Sequence, residues 1–103
     1  MPAKRLYQPS NPLLVLYVIA VGDQVNRRDL LNTLGFGPMK LWRCFATLES
    51  QYGVKISVKR NIGPHEARNH FVIDDWGCLK KEVFLEVFAK YLQEYEEYEA
   101  SQR

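Results

Sequence analysis

Basic side chains are the groups in this sequence whose spacing is best suited to chemistry. Met39, Lys40 and Arg43 fall in the first turns of a predicted helix, and Thr47 follows one turn later. Lys and Arg neutralise phosphates and release condensed counterions, so this pattern indicates affinity for a nucleic acid. A guanidinium such as that of Arg43 can bind guanine O6 and N7 together. Residues suited to further phosphate contacts lie before and after this helix in sequence: Arg27, Arg28, Lys55, Lys59, Arg60, Asn61, His65 and Arg68.

The charge is divided along the chain. The 103 residues carry a net charge of only +2, but residues 1–70 carry +6 and residues 71–103 carry −4. The basic part is expected to attract polyanions, and the acidic C-terminal part is expected to avoid them. A hydrophobic content of 47% in a chain of this length predicts one globular domain.

Residues that support catalysis or metal binding do not form a usable pattern. Cys44 and Cys78 are too few for a disulfide framework and are predicted to be reduced thiols, and His65 and His70 lack nearby metal ligands. Asp74 and Asp75 point to opposite faces of a strand, so they are interpreted as a cap before the last helix. The prediction is a protein without catalytic activity, cofactor, metal or small-molecule substrate.

The longest apolar run, Pro12 to Val21, is predicted to be a buried helix. Ten residues are too few to span a bilayer, which needs about 20. The run is followed by Gly22-Asp23-Gln24 and not by a signal-peptide cleavage site, so a cytoplasmic protein is expected. Asn11 is predicted to cap this helix and Gly22 to end it.

The remaining periodicities predict two helices, two strands and a long final helix. Asn26 caps a helix that ends at Gly35, and Pro38 opens a helix that Gly53 closes. Val54, Ile56 and Val58 alternate with polar residues, which is typical of a half-buried strand. Residues 61–67 are predicted to form a turn, residues 68–74 a second strand and residues 79–100 the final helix.

This order of elements resembles the winged helix-turn-helix family, and in particular small bacterial winged-helix proteins. The resemblance covers residues 11–77 and is carried by the segments RRDLLNTLG, FG, PMKLWRCFATLE and VKISVKRNIGPHEARNHFVIDDWG. It implies an α+β fold of three helices and a β-hairpin wing, followed here by a long C-terminal helix. It also implies sequence-specific binding to double-stranded DNA, with the third helix in the major groove and the wing on the backbone. The expected protein is a bacterial, phage or plasmid regulator of transcription or replication.

Alternative interpretations remain open from the sequence. Winged-helix folds also serve as protein–protein interaction modules, and RNA binding is a third possibility. Each basic residue taken alone is compatible with an ordinary solvated surface. Trp42 suits a core or interface position better than stacking on a base.

An aromatic stripe on the final helix predicts a homodimer. Residues 1–10 are expected to form a flexible arm, residues 11–77 the winged domain and residues 78–103 the dimerisation element. Aromatic side chains are enriched in buried interface cores, although the same residues could instead cover the chain's own first helix. The predicted interface residues are Phe84, Phe88, Tyr91, Tyr95 and Tyr98.

Overall fold

The computed structural model describes residues 10–60 and 69–102. Within them the chain forms four α-helices and two antiparallel strands, which confirms the predicted α+β class. In chain order these elements are α1 (Asn11–Val21), α2 (Arg27–Leu34), α3 (Pro38–Thr47), a π-helical turn (Leu48–Tyr52), β1 (Lys55–Lys59), β2 (His70–Asp75) and α4 (Lys81–Ser101).

Helix α1 lies at the centre of the fold, as its apolar sequence predicts. Val15 and Ile19 join a cluster formed with α2, α3 and β2, whereas Leu16 joins a second cluster with Leu48 and Val54. Because two clusters pack on different faces of the helix, it has apolar residues nearly all round. Val15 and Leu16 are fully buried.

The predicted cap of α1 needs a correction, whereas Gly22 ends the helix as predicted. The residue before the helix is Ser10, whose carbonyl accepts a hydrogen bond from Leu14 N at 2.9 Å, so Asn11 is the first helical residue and not the cap. Gly22 follows the helix in an extended conformation, with φ of −79°. A Cβ at Gly22 would lie 2.2 Å from Val25 Cγ2, so the glycine is required here for space and not for a left-handed turn.

Helix α2 has the predicted boundaries. The Asn26 side chain accepts a hydrogen bond from Asp29 N at 2.8 Å, which satisfies one of the free donors at the helix start. Leu30 is fully buried, and Leu31 and Leu34 pack against the same cluster. Gly35 ends the helix in the left-handed conformation.

The third predicted helix changes pitch before it ends. Helix α3 begins at Pro38 and buries Leu41 and Cys44, and the backbone then widens into the π-helical turn. Gly53, with φ of 71°, ends this turn as predicted. Leu48 at the start of the turn is fully buried, which anchors the turn on α1.

Strands β1 and β2 pair antiparallel, with Ile56 opposite Ile73 and Val58 opposite Phe71. The inward-facing side chains become more exposed along β1. Val54 just before the strand is buried, Ile56 is half-buried, and Val58 is 50% exposed. Val58 therefore lies on the same face of the hairpin as the buried Phe71, as the alternation predicts, but it is only half covered because it borders a cavity lined by Trp42 and Phe45. Phe71 N also donates to Val25 O at 2.9 Å, which attaches β2 to the α1–α2 connection.

Asp75 caps a turn and not the final helix, so that prediction is wrong. Its Oδ1 accepts a hydrogen bond from Gly77 N at 2.8 Å. Helix α4 begins only at Lys81, after Lys80, which contributes no side-chain cap. Five residues separate Asp75 from the first turn of α4. Its carboxylate therefore accepts a hydrogen bond from the nearer backbone N–H, that of Gly77.

Helix α4 packs on α1 through its first half. The Phe84 and Phe88 rings lie 6.5 and 5.3 Å from the Tyr17 ring, and Phe88 is the residue of α4 that is buried. Further along, the Tyr95 hydroxyl donates to the Glu99 carboxylate, and this hydrogen bond raises the pKa of Tyr95. Within residues 10–60 and 69–102, no helix is both long and apolar enough to cross a membrane.

Candidate nucleic-acid interface

The basic residues of α2 and α3 are exposed. Arg27 and Arg28 form the first turn of α2, and Lys40 and Arg43 lie on the outer side of α3. Burial of Leu41, Cys44 and Leu48 fixes this orientation, because those residues recur on the opposite side of the same helix. The outward position predicted for these four basic residues is confirmed.

A cavity of about 260 Å³ connects three elements beside these residues. Arg27 of α2, Trp42 of α3 and Val58 of β1 line it together. Trp42 is followed in sequence by Arg43, and Val58 is followed by Lys59. The fold therefore brings the start of α2, the outer side of α3 and the end of β1 to one surface, which is called the Trp42 surface below.

Trp42 is held in place although it is exposed. Its ring is 58% exposed and meets the Phe45 ring edge-on at 5.8 Å. Phe45 in turn meets the buried Phe71 ring at 5.2 Å. The rings of Trp42, Phe45 and Phe71 thus form a continuous series of contacts from the surface to the core. Packing against Phe45 positions the Trp42 indole, although the indole itself lies outside the core.

Lys40 is also positioned by an aromatic ring. Its Nζ lies 4.3 Å from the centre of the Phe36 ring, within the range of a cation–π interaction. Phe36 belongs to the glycine turn before α3, so the ammonium is fixed near the start of the helix. The Cys44 thiol has a pKa raised by burial, and the Lys40 charge offsets part of that rise.

Other predicted contact residues are dispersed. Lys55 pairs with Asp75 at the opposite end of β1 from Lys59, a separation of about 13 Å at 3.3 Å per residue. Thr47 is half-buried at the end of α3, and Met39 is 68% exposed at its start. Arg60 is exposed directly after β1. Asn61, His65 and Arg68 lie outside the described residues.

Sequence reasoning missed two polar residues of the cavity, Asn69 and His70. His70 is opposite Lys59 in the strand pair, and its Nδ1 is buried without a hydrogen-bond partner among the described residues. The pairing register places His70 beside the cavity, and no local pattern in the sequence specifies that register. In the described parts of the chain, no three His, Cys, Asp or Glu side chains are grouped to hold a metal ion.

The described chain is thus an α+β protein in which α2, α3 and β1 meet at a cavity lined by Arg27, Trp42 and Val58. Comparison with known protein families, with curated proteins and with solved structures finds no match to this chain.

Proposed function

We propose that this chain is a winged helix-turn-helix protein that binds double-stranded DNA in a sequence-specific manner. The order of the helices and of the paired strands supports this fold. So does the hydrogen bond from Phe71 N to Val25 O, since it attaches the second strand to the connection between the first two helices.

The Trp42 surface is the observation that carries the proposal. Arg27 lines its cavity, and Arg43 and Lys59 directly follow two other lining residues. Arg27 therefore supplies positive charge at the cavity itself, whereas Arg43 lies about 100° round α3 from Trp42 and Lys59 points to the opposite face of β1 from Val58. A duplex that contacts α3 would meet Arg43 on that helix and Arg27 at the neighbouring start of α2, which suits the repeated phosphates of a DNA backbone.

The proposed roles follow from side-chain chemistry and position. Arg43 and Met39 are exposed on the first turns of α3, where a recognition helix reaches base edges, so they would read sequence. Arg27, Arg28, Lys59 and Arg60 are exposed at the ends of their elements and would contact phosphates. The protein would act in the cytoplasm as a non-catalytic regulator of transcription or replication, and as a homodimer.

A second candidate function is protein binding, and the exposed apolar residues favour it. Met39, Trp42 and Val58 are 68%, 58% and 50% exposed. Aromatic residues, methionine and arginine are the types enriched in protein interfaces. In that case Trp42 would be the anchor, and the surrounding basic residues would select an acidic partner.

Fluorescence anisotropy with labelled genomic fragments tests the DNA proposal. Binding is expected to weaken steeply between about 50 and 200 mM salt, as phosphate neutralisation requires. Competition with structured RNA separates DNA binding from RNA binding. If no duplex is bound at low salt, the DNA proposal fails and the protein-binding candidate becomes the leading one.

A further inference from the structure

An apolar groove of about 610 Å³ lies between the start of α1 and the first half of α4. Leu13 and Leu79 line its inner side, and Val83, Val87 and Tyr91 line it from α4. Val83 and Val87 are 54% and 61% exposed. Within the described residues, these two valines therefore remain largely uncovered on a helix that is otherwise rich in charge.

The exposed valines belong to a strip that runs the length of α4. At 3.6 residues per turn, Val83, Val87, Tyr91 and Tyr98 share an arc of about 80°, which also contains Glu94 between the two tyrosines. The two valines and the two tyrosines are called the α4 strip. Phe84 and Phe88 lie next to this arc and pack on Tyr17 of the same chain. The strip is therefore distinct from the part of α4 that covers α1.

The two halves of the α4 strip are complementary in length and in shape. With a rise of 1.5 Å per residue, Val83 lies about 12 Å from Tyr91, and Tyr98 lies about 10.5 Å from Tyr91 in the other direction. A two-fold axis at Tyr91 would therefore bring the partner's Tyr98 to within about 1.5 Å of Val83 along the helix axis. The large aromatic side chain of the partner would then pack against the small valine side chains beside the open groove.

Charge along α4 favours the same arrangement. Lys80, Lys81 and Lys90 lie in or just before the first half, together with Glu82 and Glu86. The second half contains four glutamates and no basic residue, and the last turn lacks a cation to offset the helix dipole. An antiparallel pair places the first half of each helix, which with Lys80 has a net charge of +1, beside the second half of the other, which has a net charge of −4. A parallel pair would place four glutamates against four glutamates.

We propose that the α4 strip binds a second copy of this chain, with the two α4 helices antiparallel and crossing near Tyr91. Such a two-fold interface is isologous, so each groove receives the partner's tyrosines. This specifies the homodimer of the proposed function by naming its contact residues and its orientation. The arrangement does not depend on DNA binding.

Sedimentation equilibrium of the full chain without DNA tests the interface. The wild type is expected to be a dimer at micromolar concentration, and Val87→Lys and Val83→Lys are each expected to raise the dimer Kd at least about tenfold. Val21→Lys is the matched control, because Val21 at the end of α1 is 56% exposed and lines neither this groove nor the Trp42 cavity. Far-UV circular dichroism confirms that each variant is folded. A monomeric wild type, or a Val87→Lys variant that dimerises unchanged, would overturn the proposal.

Cysteine cross-linking tests the orientation. In chains that also carry Cys78→Ser, Lys80→Cys and Gln102→Cys place one thiol at each end of α4. Antiparallel helices should give a disulfide between the two different variants when they are mixed. A parallel dimer would instead link each variant to itself, and this result would refute the antiparallel arrangement. Because neither measurement contains DNA, the dimer can fail while the DNA proposal stands, and the reverse also holds.

Discussion

Gly53 and Gly77 lie in backbone contact at the base of the hairpin. Both have positive φ, 71° and 60°, and a Cβ at Gly77 would lie 2.5 Å from the carbonyl carbon of Gly53 and 2.0 Å from Tyr52 O. Cys78 N donates to Tyr52 O at 2.8 Å directly beside this crossing. The two ends of the hairpin are thereby held together by backbone atoms, with no space for a side chain at Gly77.

Substitution Gly77→Ala is expected to destabilise the fold strongly. The alanine would combine the cost of a left-handed backbone with a clash against backbone atoms that cannot rotate away, so a loss of about 3 kcal/mol or more is expected. Urea denaturation measures this loss. Gly35→Ala is the matched control, since Gly35 has φ of 68° but nothing within 4 Å of a Cβ. The control should lose only about 1 kcal/mol, and equal losses in the two variants would show that the close approach is unimportant.

Substitution Asn26→Ala removes the cap of α2. The free energy of unfolding should fall by about 1 kcal/mol, because Asp29 N loses its side-chain acceptor. Asn26→Asp should retain most of the stability, since a carboxylate also accepts this bond. An alanine variant as stable as the wild type would show that water satisfies the donor equally well.

The two thiols should react at different rates. Cys78 is exposed and Cys44 is buried. Burial also raises the pKa of the Cys44 thiol, which lowers the fraction of reactive thiolate at neutral pH. A thiol reagent such as DTNB should therefore modify one cysteine rapidly and the other only as the protein opens. Cys78→Ser should abolish the rapid phase, and its persistence in that variant would place the reactive thiol at Cys44.

Stability should decrease at alkaline pH because of Cys44. Its pKa is raised in the folded state, so above the ordinary thiol pKa the unfolded chain loses a proton that the folded chain retains. The contribution of this group is full below the unfolded pKa and is lost as the pH rises through the folded pKa. Cys44→Ala should have a flatter stability profile in that alkaline range, although its overall stability is lower. A profile of unchanged slope would exclude Cys44 as the source.

The DNA proposal predicts different effects for Arg43→Ala and Lys59→Ala. Loss of a bidentate contact to guanine should cost about 1–3 kcal/mol at the preferred site and reduce sequence preference. Loss of a phosphate contact should weaken binding to all duplexes and reduce the salt slope by about 1. Gln51→Ala, at an exposed position of the π-helical turn, is a control that should leave binding unchanged. The reverse pattern, in which Lys59→Ala alters sequence preference and Arg43→Ala does not, would show that α3 does not read the DNA sequence.

Local patterns predicted the elements well because local interactions determine them. Asn26 and Gly35 bracket α2 as expected, and Pro38 and Gly53 bracket α3 with its π-helical turn. Cys44 lies on the buried side of α3, as the helical spacing requires. Each of these positions depends on backbone preference or helical periodicity, and both can be read from neighbouring residues.

Features that depend on strand register and on chain crossings could not be predicted in the same way. Alternation alone places Val58 on the inner face of β1 but does not show that half of its side chain remains exposed. Asp75 was expected to cap α4, but Gly77 N is nearer than the helix. The cavity lined by Arg27, Trp42 and His70 requires three elements to meet, and such a meeting is a property of the tertiary fold.

The hydrogen bond between Phe71 N and Val25 O has a mechanical consequence. Val25 directly precedes the Asn26 cap and Arg27, so the backbone of β2 and the start of α2 are joined by a single short link. A displacement of the hairpin would therefore reach Arg27 through this hydrogen bond and the backbone of Val25 and Asn26. Because Phe71 and Leu30 also belong to one core cluster, the hairpin and the start of α2 are expected to move together.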